Sequence, residues 1–557
     1  MIDSYLKHPI LYFFALLLLL LSCNTYKHPD FSRKDVHKAQ KVIGVDFSKA
    51  AIDTMYRYLG RNQTGYDSSR VYAIDNEVFP ALLFDPHPNG FVIPKQQTPN
   101  HWKIAEGVTL PKDEAAIAFY TIPQLAALLQ SRQITAEALT KIYLNRIKKY
   151  DGTLQAVTTL TEDRALAQAK KVDAEIAAGN YKGLLHGIPY GTKDLMAVEG
   201  YKTTWGAAPY KNQMIDYTAS VIEQLDEAGA ILIAKLTSGA LARGDVWYGG
   251  KTKNPWDITQ GASGSSAGPG AATAAGLVAF ALGTQTLGSI VSPSNRCGLT
   301  GLRPTYGRVT RYGVMPLSWS MDKIGPMCRS AIDCAIVFDA IRGTDGKDRT
   351  VRDAAFNYTN DLDLSTLKVG YLKAHFDEDT TIIGENNRIA LTTLKTMGLK
   401  LEAVSFPKDF PYAVFDVILR AEAGTFFDEL VRSEEVDKMV QQDYRSRANS
   451  LRQARFIPAV EYLQANRHRK VLIEKMHEIF QNYDVIIAPT FGGRQLLITN
   501  LTGHPAVALP NGFDKKGRPT SITLLGNLYE EAILLAIAQQ FQEQTNFEEQ
   551  HPANYQK

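Results

Sequence analysis

Hydrophobic residues recur at regular spacings along the chain from about residue 121 onwards. The stretch TIPQLAALLQSRQITAEALTKIYLNRIKKY predicts two amphipathic helices, the second with Thr135 as its N-cap and Glu137 in its first turn. Apolar segments of strand length lie at 154–160, 229–236 and 483–490. Helical stretches alternate with them: ALAQAKKVDAEIAAG, ending at Gly179, a long one at 421–480, and EEAILLAIAQQFQEQT near the end. This alternation predicts an α/β fold, a β-sheet with helices on both faces.

The N-terminal pattern is different and resembles an export signal. Lys7 precedes the apolar run ILYFFALLLLLLS (10–22), which ends at Cys23. The run is shorter than the roughly 17 residues that a membrane-spanning helix needs, and it fits the apolar region of a secretory signal. LLSC at 20–23 resembles a bacterial lipobox, in which cleavage leaves a lipidated cysteine. A plain signal peptide and a short membrane anchor are the alternatives.

Three segments follow from these patterns. We expect a lipoprotein-type signal peptide at 1–22, a polar, turn-rich lead-in at 23–115 with one helix at 49–59, and a main α/β domain at 116–557. The expected location is the bacterial cell envelope, with lipidated Cys23 anchoring the chain to a membrane on its periplasmic or outer face. No linker is long enough to force a further domain boundary.

Composition gives no support to several classes of function. A formal net charge of +3 over 557 residues, without a block of like charges, gives no basis for nucleic-acid binding. The eleven histidines are dispersed and form no zinc-binding motif. Three cysteines remain besides Cys23, and their odd number predicts buried, inert thiols and no disulfide framework: Cys297, Cys328 and Cys334.

Five serines lie between Gly261 and Pro293, and the question is which of them is a nucleophile. GSSAG at 264–268 matches the G-x-S-x-G elbow of α/β-hydrolases, with Ser266 at its centre. That motif requires an apolar strand before the serine, whereas NPWDITQGAS is polar and typical of turns. The elbow interpretation is therefore disfavoured.

A serine can also be activated by a neutral lysine instead of a histidine. Lysine must be desolvated for this role, because its pKa is normally near 10.4. Lys193 lies in LLHGIPYGTKDLMAVEG, just after Gly- and Pro-containing turns and among apolar residues. On its own, a lysine in a Lys-Asp pair is more often a surface charge.

Several motifs in register carry a more specific signal than any one of them. They are GIPYGTKD (187–194), the Gly/Ser loop, GTQTLGSI (283–290), CGLTGLRPTYGRV (297–309), SMDKIGP (320–326), APT (488–490) and NLTGHPAVALP (500–510). Together they resemble the amidase signature family from about residue 121 to residue 552. The resemblance implies a large mixed β-sheet flanked by helices, and a Ser-cisSer-Lys triad without metal or cofactor.

The resemblance assigns roles by position. Lys193 matches the family's base, Ser265 the bridging serine at a cis peptide, and Ser289 the nucleophile, while Ser266 matches a supporting hydrogen-bond partner. The backbone N–H groups of Thr286, Leu287 and Gly288 would form the oxyanion hole. We expect the apolar run PGAATAAGLVAFAL (269–282) to be one helix that holds both serines on a rigid element.

Three positions depart from the family pattern around the nucleophile. Gln285 stands where the family has Asp, Leu287 where it has Gly, and Val291 where it has Arg. Gln285 and Val291 together are consistent with replacement of one ion pair by a neutral pair, because a one-sided loss would leave a buried charge. Leucine disfavours positive φ, so we expect the turn to adopt negative φ at Leu287.

The sequence thus predicts an amidase that hydrolyses a carboxamide C–N bond through an acyl-enzyme on Ser289, with a possible esterase side activity. The expected substrate is a small-molecule or peptide amide, and the oligomeric state is open. The alternative is a non-catalytic, envelope-anchored binding protein on an amidase scaffold. The family also contains an amidotransferase component that supplies ammonia to misacylated tRNA, a role that export would disfavour.

Overall fold

A computed structural model describes residues 30–71, 75–78 and 80–556. Contacts divide the chain into two compact units, one ending at Val78 and one beginning at Phe79. The predicted signal peptide and Cys23 lie outside the described residues. Within the described part of the chain, no helix combines the length and apolarity needed to cross a membrane.

The first unit is helical. Helix α1 (Arg33–Val42) begins at a capping box, in which Ser32 and Asp35 satisfy each other's backbone N–H groups. Helix α2 (Lys49–Arg70) starts at the residue predicted for it but continues well beyond residue 59. Its second half is polar, so hydrophobic spacing gave no signal there. Helix α1 was not predicted, although Ser32 and Asp35 are a recognisable N-terminal signature.

The second unit is built on a large mixed sheet, which confirms the predicted fold class. The described strands are β1 (Val157–Leu160), β2 (Pro189–Lys193), β3 (Ile231–Leu236), β4 (Val246–Trp247), β5 (Gly250–Lys251), β6 (Lys253–Asn254), β7 (Asp257–Gly261), β8 (Phe280–Gln285), β9 (Thr300–Arg303), β10 (Lys323–Cys328), β11 (Lys368–Tyr371), β12 (Lys400–Ala403), β13 (Val485–Pro489), β14 (Ala506–Phe513) and β15 (Pro519–Gly526). Eleven of them form one sheet in the order β1-β3-β2-β8-β10-β9-β14-β15-β13-β11-β12. The pairs β4–β5 and β6–β7 are separate hairpins.

Helices surround this sheet. They are α3 (Glu114–Ile117), α4 (Ile122–Gln130), α5 (Ala136–Leu154), α6 (Glu162–Ala177), α7 (Ser220–Glu227), α8 (Ala267–Ala274), α9 (Val291–Cys297), α10 (Ala331–Ile341), α11 (Lys373–Asp377), α12 (Ile382–Thr396), α13 (Asp416–Phe426), α14 (Asp428–Arg432), α15 (Arg447–Ala454), α16 (Ala459–Phe480), α17 (Gln495–Thr502) and α18 (Glu531–Thr545). Thr135 caps α5 as predicted, its side chain accepting the Ala138 N–H.

The centre of the sheet positions the candidate site. Strand β2 pairs in parallel with β3 and with β8, whereas β8 pairs antiparallel with β10. Parallel strands have their carboxyl ends at the same edge of a sheet. Lys193 ends β2 and Gln285 ends β8, so the segments that follow these two strands emerge side by side.

The prediction of a single helix over 269–282 is wrong. Helix α8 ends at Ala274, the chain turns at Gly276 with φ +64°, and Phe280 begins strand β8. Apolar runs of this length cannot be assigned to helix or strand by hydrophobicity alone, and here pairing with both β2 and β10 decides for a strand. The two candidate serines therefore flank a helix–strand unit whose residues are almost all buried.

The first residues of the second unit run along its surface as a segment without regular structure. The Pro94 carbonyl accepts the Ala355 N–H at 2.7 Å, and the Trp102 indole donates to Asp339 at 3.1 Å. The guanidinium of Arg469 lies 3.4 Å from the centre of the Phe84 ring. Residues 80–115, assigned by sequence to the lead-in, are thus fastened to the same compact unit as the sheet.

Candidate active site

Lys193 is completely buried at the end of β2. Its Nζ donates to Ser265 Oγ and to Thr284 Oγ1, both at 2.8 Å. Burial holds the pKa of Lys193 well below its usual range, and the negative charge of Asp322 opposes this shift in part. A lysine with a lowered pKa is neutral over a wider pH range and can then accept a proton.

The Gly/Ser loop presents two buried serines with different partners. The Gly264–Ser265 peptide is cis, and the Ser265 carbonyl accepts the Gly239 N–H at 3.2 Å. Ser266 Oγ donates to the Thr284 carbonyl at 3.1 Å and accepts the Thr284 N–H at 3.2 Å. Both hydrogen-bonding functions of the Ser266 hydroxyl are thus used in tying the loop to β8.

Ser289 lies in the turn between β8 and α9 and is partly exposed. Its carbonyl accepts the Ser266 N–H at 3.3 Å, which fastens the turn to the Gly/Ser loop. Its hydroxyl makes no hydrogen bond to another described residue. The fold therefore brings the segments that carry Lys193, Ser265 and Ser289 to one edge of the sheet. The Ser289 hydroxyl at this edge has no hydrogen-bond partner among the described residues.

Gln285 spans the turn that contains Ser289. Its Oε1 accepts the N–H groups of Ile290 and Val291 at 2.8 and 2.9 Å, and its Nε2 donates to the Leu287 carbonyl at 3.0 Å. A carboxylate here could accept both N–H groups but could not donate to Leu287. Val291 is fully buried, so this neutral pair leaves no unpaired charge.

The same contacts orient one N–H group of the turn. Asn500 on α17 also donates its side-chain amide to the Leu287 carbonyl. In a trans peptide the following N–H points opposite to the carbonyl, so the Gly288 N–H points away from Gln285 and Asn500. Leu287 has negative φ, as expected for leucine. Within the described residues, the N–H groups of Thr286, Leu287 and Gly288 donate to no protein acceptor.

Comparison with known proteins decides the family. The family model described as Amidase matches residues 138–499, more than half of the chain. This chain belongs to the amidase family. Its activity class is accordingly amidase-type hydrolysis of C–N bonds.

Several relatives of this amidase-family chain span most of its length. A glutamyl-tRNA(Gln) amidotransferase component of Coxiella burnetii (strain Dugway 5J108-111) is 35% identical over 479 residues, covering 78% of this chain and 99% of the relative. The peptide amidase of Stenotrophomonas maltophilia is 26% identical with a TM-score of 0.69, covering 78% and 98%. A bacterial aryl acylamidase, at 19% identity and a TM-score of 0.69 over 79% and 98%, shares the fold.

Two side chains in this amidase-family site were missed by sequence reasoning. Thr284 accepts a hydrogen bond from Lys193, and the Asp322 carboxylate accepts one from the Thr286 hydroxyl at 2.5 Å. Both residues lie in motifs that carry the family resemblance, GTQTLGSI and SMDKIGP. Membership in these motifs did not indicate a role for either side chain. The pairing of β8 with β10 brings these motifs together, and local sequence does not contain that information.

Ser263, Ser292 and Ser294 make no hydrogen bond to Lys193 or Ser265. The three described cysteines are buried and unpaired, as predicted, and burial raises the pKa of Cys297 to about 12. Among the described residues, no cluster of three or more histidine, cysteine or acidic side chains could hold a metal ion.

Proposed function

We propose that this chain is a serine-dependent amidase that cleaves a carboxamide C–N bond through an acyl-enzyme on Ser289. Lys193 is the base and acts through Ser265. The observation that carries the proposal is the 2.8 Å hydrogen bond from the fully buried Lys193 Nζ to Ser265 Oγ, at the sheet edge where Ser289 lies. Burial favours the neutral form of lysine, which is the form a general base requires.

In the proposed reaction, Ser289 Oγ attacks the amide carbonyl and gives its proton to Ser265 Oγ. Ser265 passes its own proton to neutral Lys193. The Gly288 N–H and its neighbours in the turn stabilise the developing oxyanion. The proton then returns from Lys193 through Ser265 to the leaving nitrogen, which departs as an amine or ammonia. Water then attacks the acyl-enzyme and gives a proton through Ser265 to Lys193. The carboxylic acid departs, and the returning proton regenerates the Ser289 hydroxyl.

Reactivity of Ser289 tests this proposal. A fluorophosphonate probe is expected to label the wild-type chain and Ser263→Ala, and to leave Ser289→Ala unlabelled. Ser263 is the matched control, because it belongs to the same serine-rich stretch and donates its N–H to Asp245. An unlabelled wild-type chain would contradict the proposal and favour a binding protein on an amidase scaffold.

The proposed substrate is a small-molecule or peptide amide. The amidotransferase relative at 35% identity supports a second candidate, a component that releases ammonia for a partner. Hydrolysis of aryl amides, aliphatic amides and amidated peptides by the purified chain alone would favour the first candidate. Activity confined to glutamine would favour the second.

We further propose that the chain is anchored to the bacterial envelope through lipidated Cys23. The proposal rests on the apolar run at 10–22 and the LLSC that ends at this residue. Cys23→Ala is expected to move the protein from the membrane to the soluble fraction of fractionated cells, while Cys297→Ala leaves its distribution unchanged. A Cys23→Ala variant that stays with the membrane fraction excludes lipidation as the anchor.

A further inference from the structure

Asp322 lies immediately before β10 and holds two segments of the candidate site together. Its Oδ1 accepts the Thr286 hydroxyl at 2.5 Å, and its Oδ2 accepts the N–H groups of Leu317 and Ser318 at 2.7 and 2.9 Å. Thr286 is part of the turn that precedes Ser289. One carboxylate thus connects the proposed oxyanion turn to residues 315–322, named here the 315–322 loop.

The 315–322 loop is itself fixed by two helices outside the sheet. Glu422 on α13 accepts the hydroxyls of Ser318 and Ser320 at 2.6 and 2.7 Å. Arg469 on α16 donates to Ser320 Oγ at 2.7 Å and to its carbonyl at 2.8 Å. Glu422 and Arg469 are both buried. These hydrogen bonds lie within the protein, so they set the position of Asp322 before a substrate binds.

Asp322 also lies near the side chains that surround Lys193, the proposed base. Thr284, which accepts a hydrogen bond from Lys193, lines the same cavity as Thr286 and Asp322. The charge of Asp322 raises the pKa of Lys193 against the larger, lowering effect of burial. The other charged groups around this carboxylate are Lys323, Arg447 and Arg311, which forms an ion pair with Asp348 at 2.9 Å.

We propose that Asp322 is a positioning residue for acyl transfer: it holds the turn before Ser289 through the Thr286 hydroxyl and places a negative charge near the Lys193 ammonium. This inference rests on the proposed function, because it assigns Asp322 a role only if Ser289 and Lys193 react as described. The residue touches neither the substrate nor the transferred proton in this scheme.

Asp322→Asn tests the effect of the charge. Without the carboxylate, protonated Lys193 loses a favourable interaction, so its pKa falls and the neutral base persists to lower pH. The acidic limb of kcat/KM, which reports the free enzyme, is expected to move to lower pH by about one unit.

Thr286→Val and Thr286→Ser test the positioning effect without changing charge. Valine removes the hydroxyl that binds Asp322 and is expected to lower kcat about tenfold or more, with the acidic limb unmoved. Serine keeps the hydroxyl and is expected to restore most of kcat. These variants provide an independent test should Asp322→Asn fail to fold.

Fluorophosphonate labelling separates failure of this inference from failure of the proposed function. If the wild-type chain labels at Ser289 and hydrolyses an amide, the proposed function holds. An unmoved acidic limb in folded Asp322→Asn, or equal kcat values for the valine and serine variants at 286, would then overturn the role of Asp322. A wild-type chain that does not label would remove the basis for both.

Discussion

Lys193→Met is expected to lower kcat for amide hydrolysis by roughly 10²–10⁴-fold, the usual contribution of a general acid–base group. Methionine is similar in length to lysine and apolar, so it suits a site from which water is excluded. The variant removes the proton acceptor for Ser265 and the proton donor for the leaving nitrogen together. Steady-state kinetics on an amide substrate, with circular dichroism to verify folding, measure the effect.

Lys202→Met is the matched control for this loss of activity. Lys202 is exposed and hydrogen-bonds Asn212 at 3.1 Å, so its replacement should leave kcat unchanged. A folded Lys193→Met variant with kcat near that of the wild-type chain would show that another group acts as the base.

Asp194→Ala is expected to cost about 3–5 kcal/mol of the free energy of unfolding, the usual penalty for stranding one partner of a buried ion pair. Asp194 Oδ1 lies 2.9 Å from Lys235 Nζ, and both side chains are fully buried. The carboxylate also accepts the Thr204 N–H at 3.0 Å. Urea unfolding followed by tryptophan fluorescence measures the loss.

The double variant Asp194→Ala/Lys235→Met provides the control for this destabilisation. Because it removes the stranded ammonium, it should recover part of the stability that the single variant loses. If Asp194→Ala unfolds at the same urea concentration as the wild-type chain, the pair contributes nothing to stability. Since Asp194 follows Lys193 directly, its loss should also lower kcat.

The α/β class and the segments that meet at the site could be predicted from sequence patterns, for two reasons. Buried strands such as β13 carry uninterrupted apolar runs, and family motifs specify which short segments converge. The hydrogen bond between Lys193 and Ser265, 72 positions apart, agrees with the pairing that the motifs implied. The catalytic roles of these residues stay predictions.

Features that depend on pairing between distant parts of the chain could not be predicted from the sequence. The run at 269–282 has a single polar side chain, Thr273, and only its pairing with β2 and β10 shows that its second part is a strand. Thr284 and Asp322 are ordinary residue types whose importance comes from neighbours far along the chain. From the sequence, Gln285 was predicted only to replace a charged residue of the family pattern with a neutral one. In the structure its side-chain amide makes three hydrogen bonds across the turn.

The surface segment that begins the second unit has a consequence for producing shortened forms of the protein. Phe84 covers the guanidinium of Arg469, and Arg469 holds Ser320 in the 315–322 loop. Trimming the chain to residue 116, the domain boundary predicted from the sequence, would remove this cover and the bonds to Asp339 and Ala355. Expression of the catalytic unit should therefore start near residue 79, and proteolytic clipping between 80 and 115 should count as damage to the enzyme rather than as harmless loss of a tail.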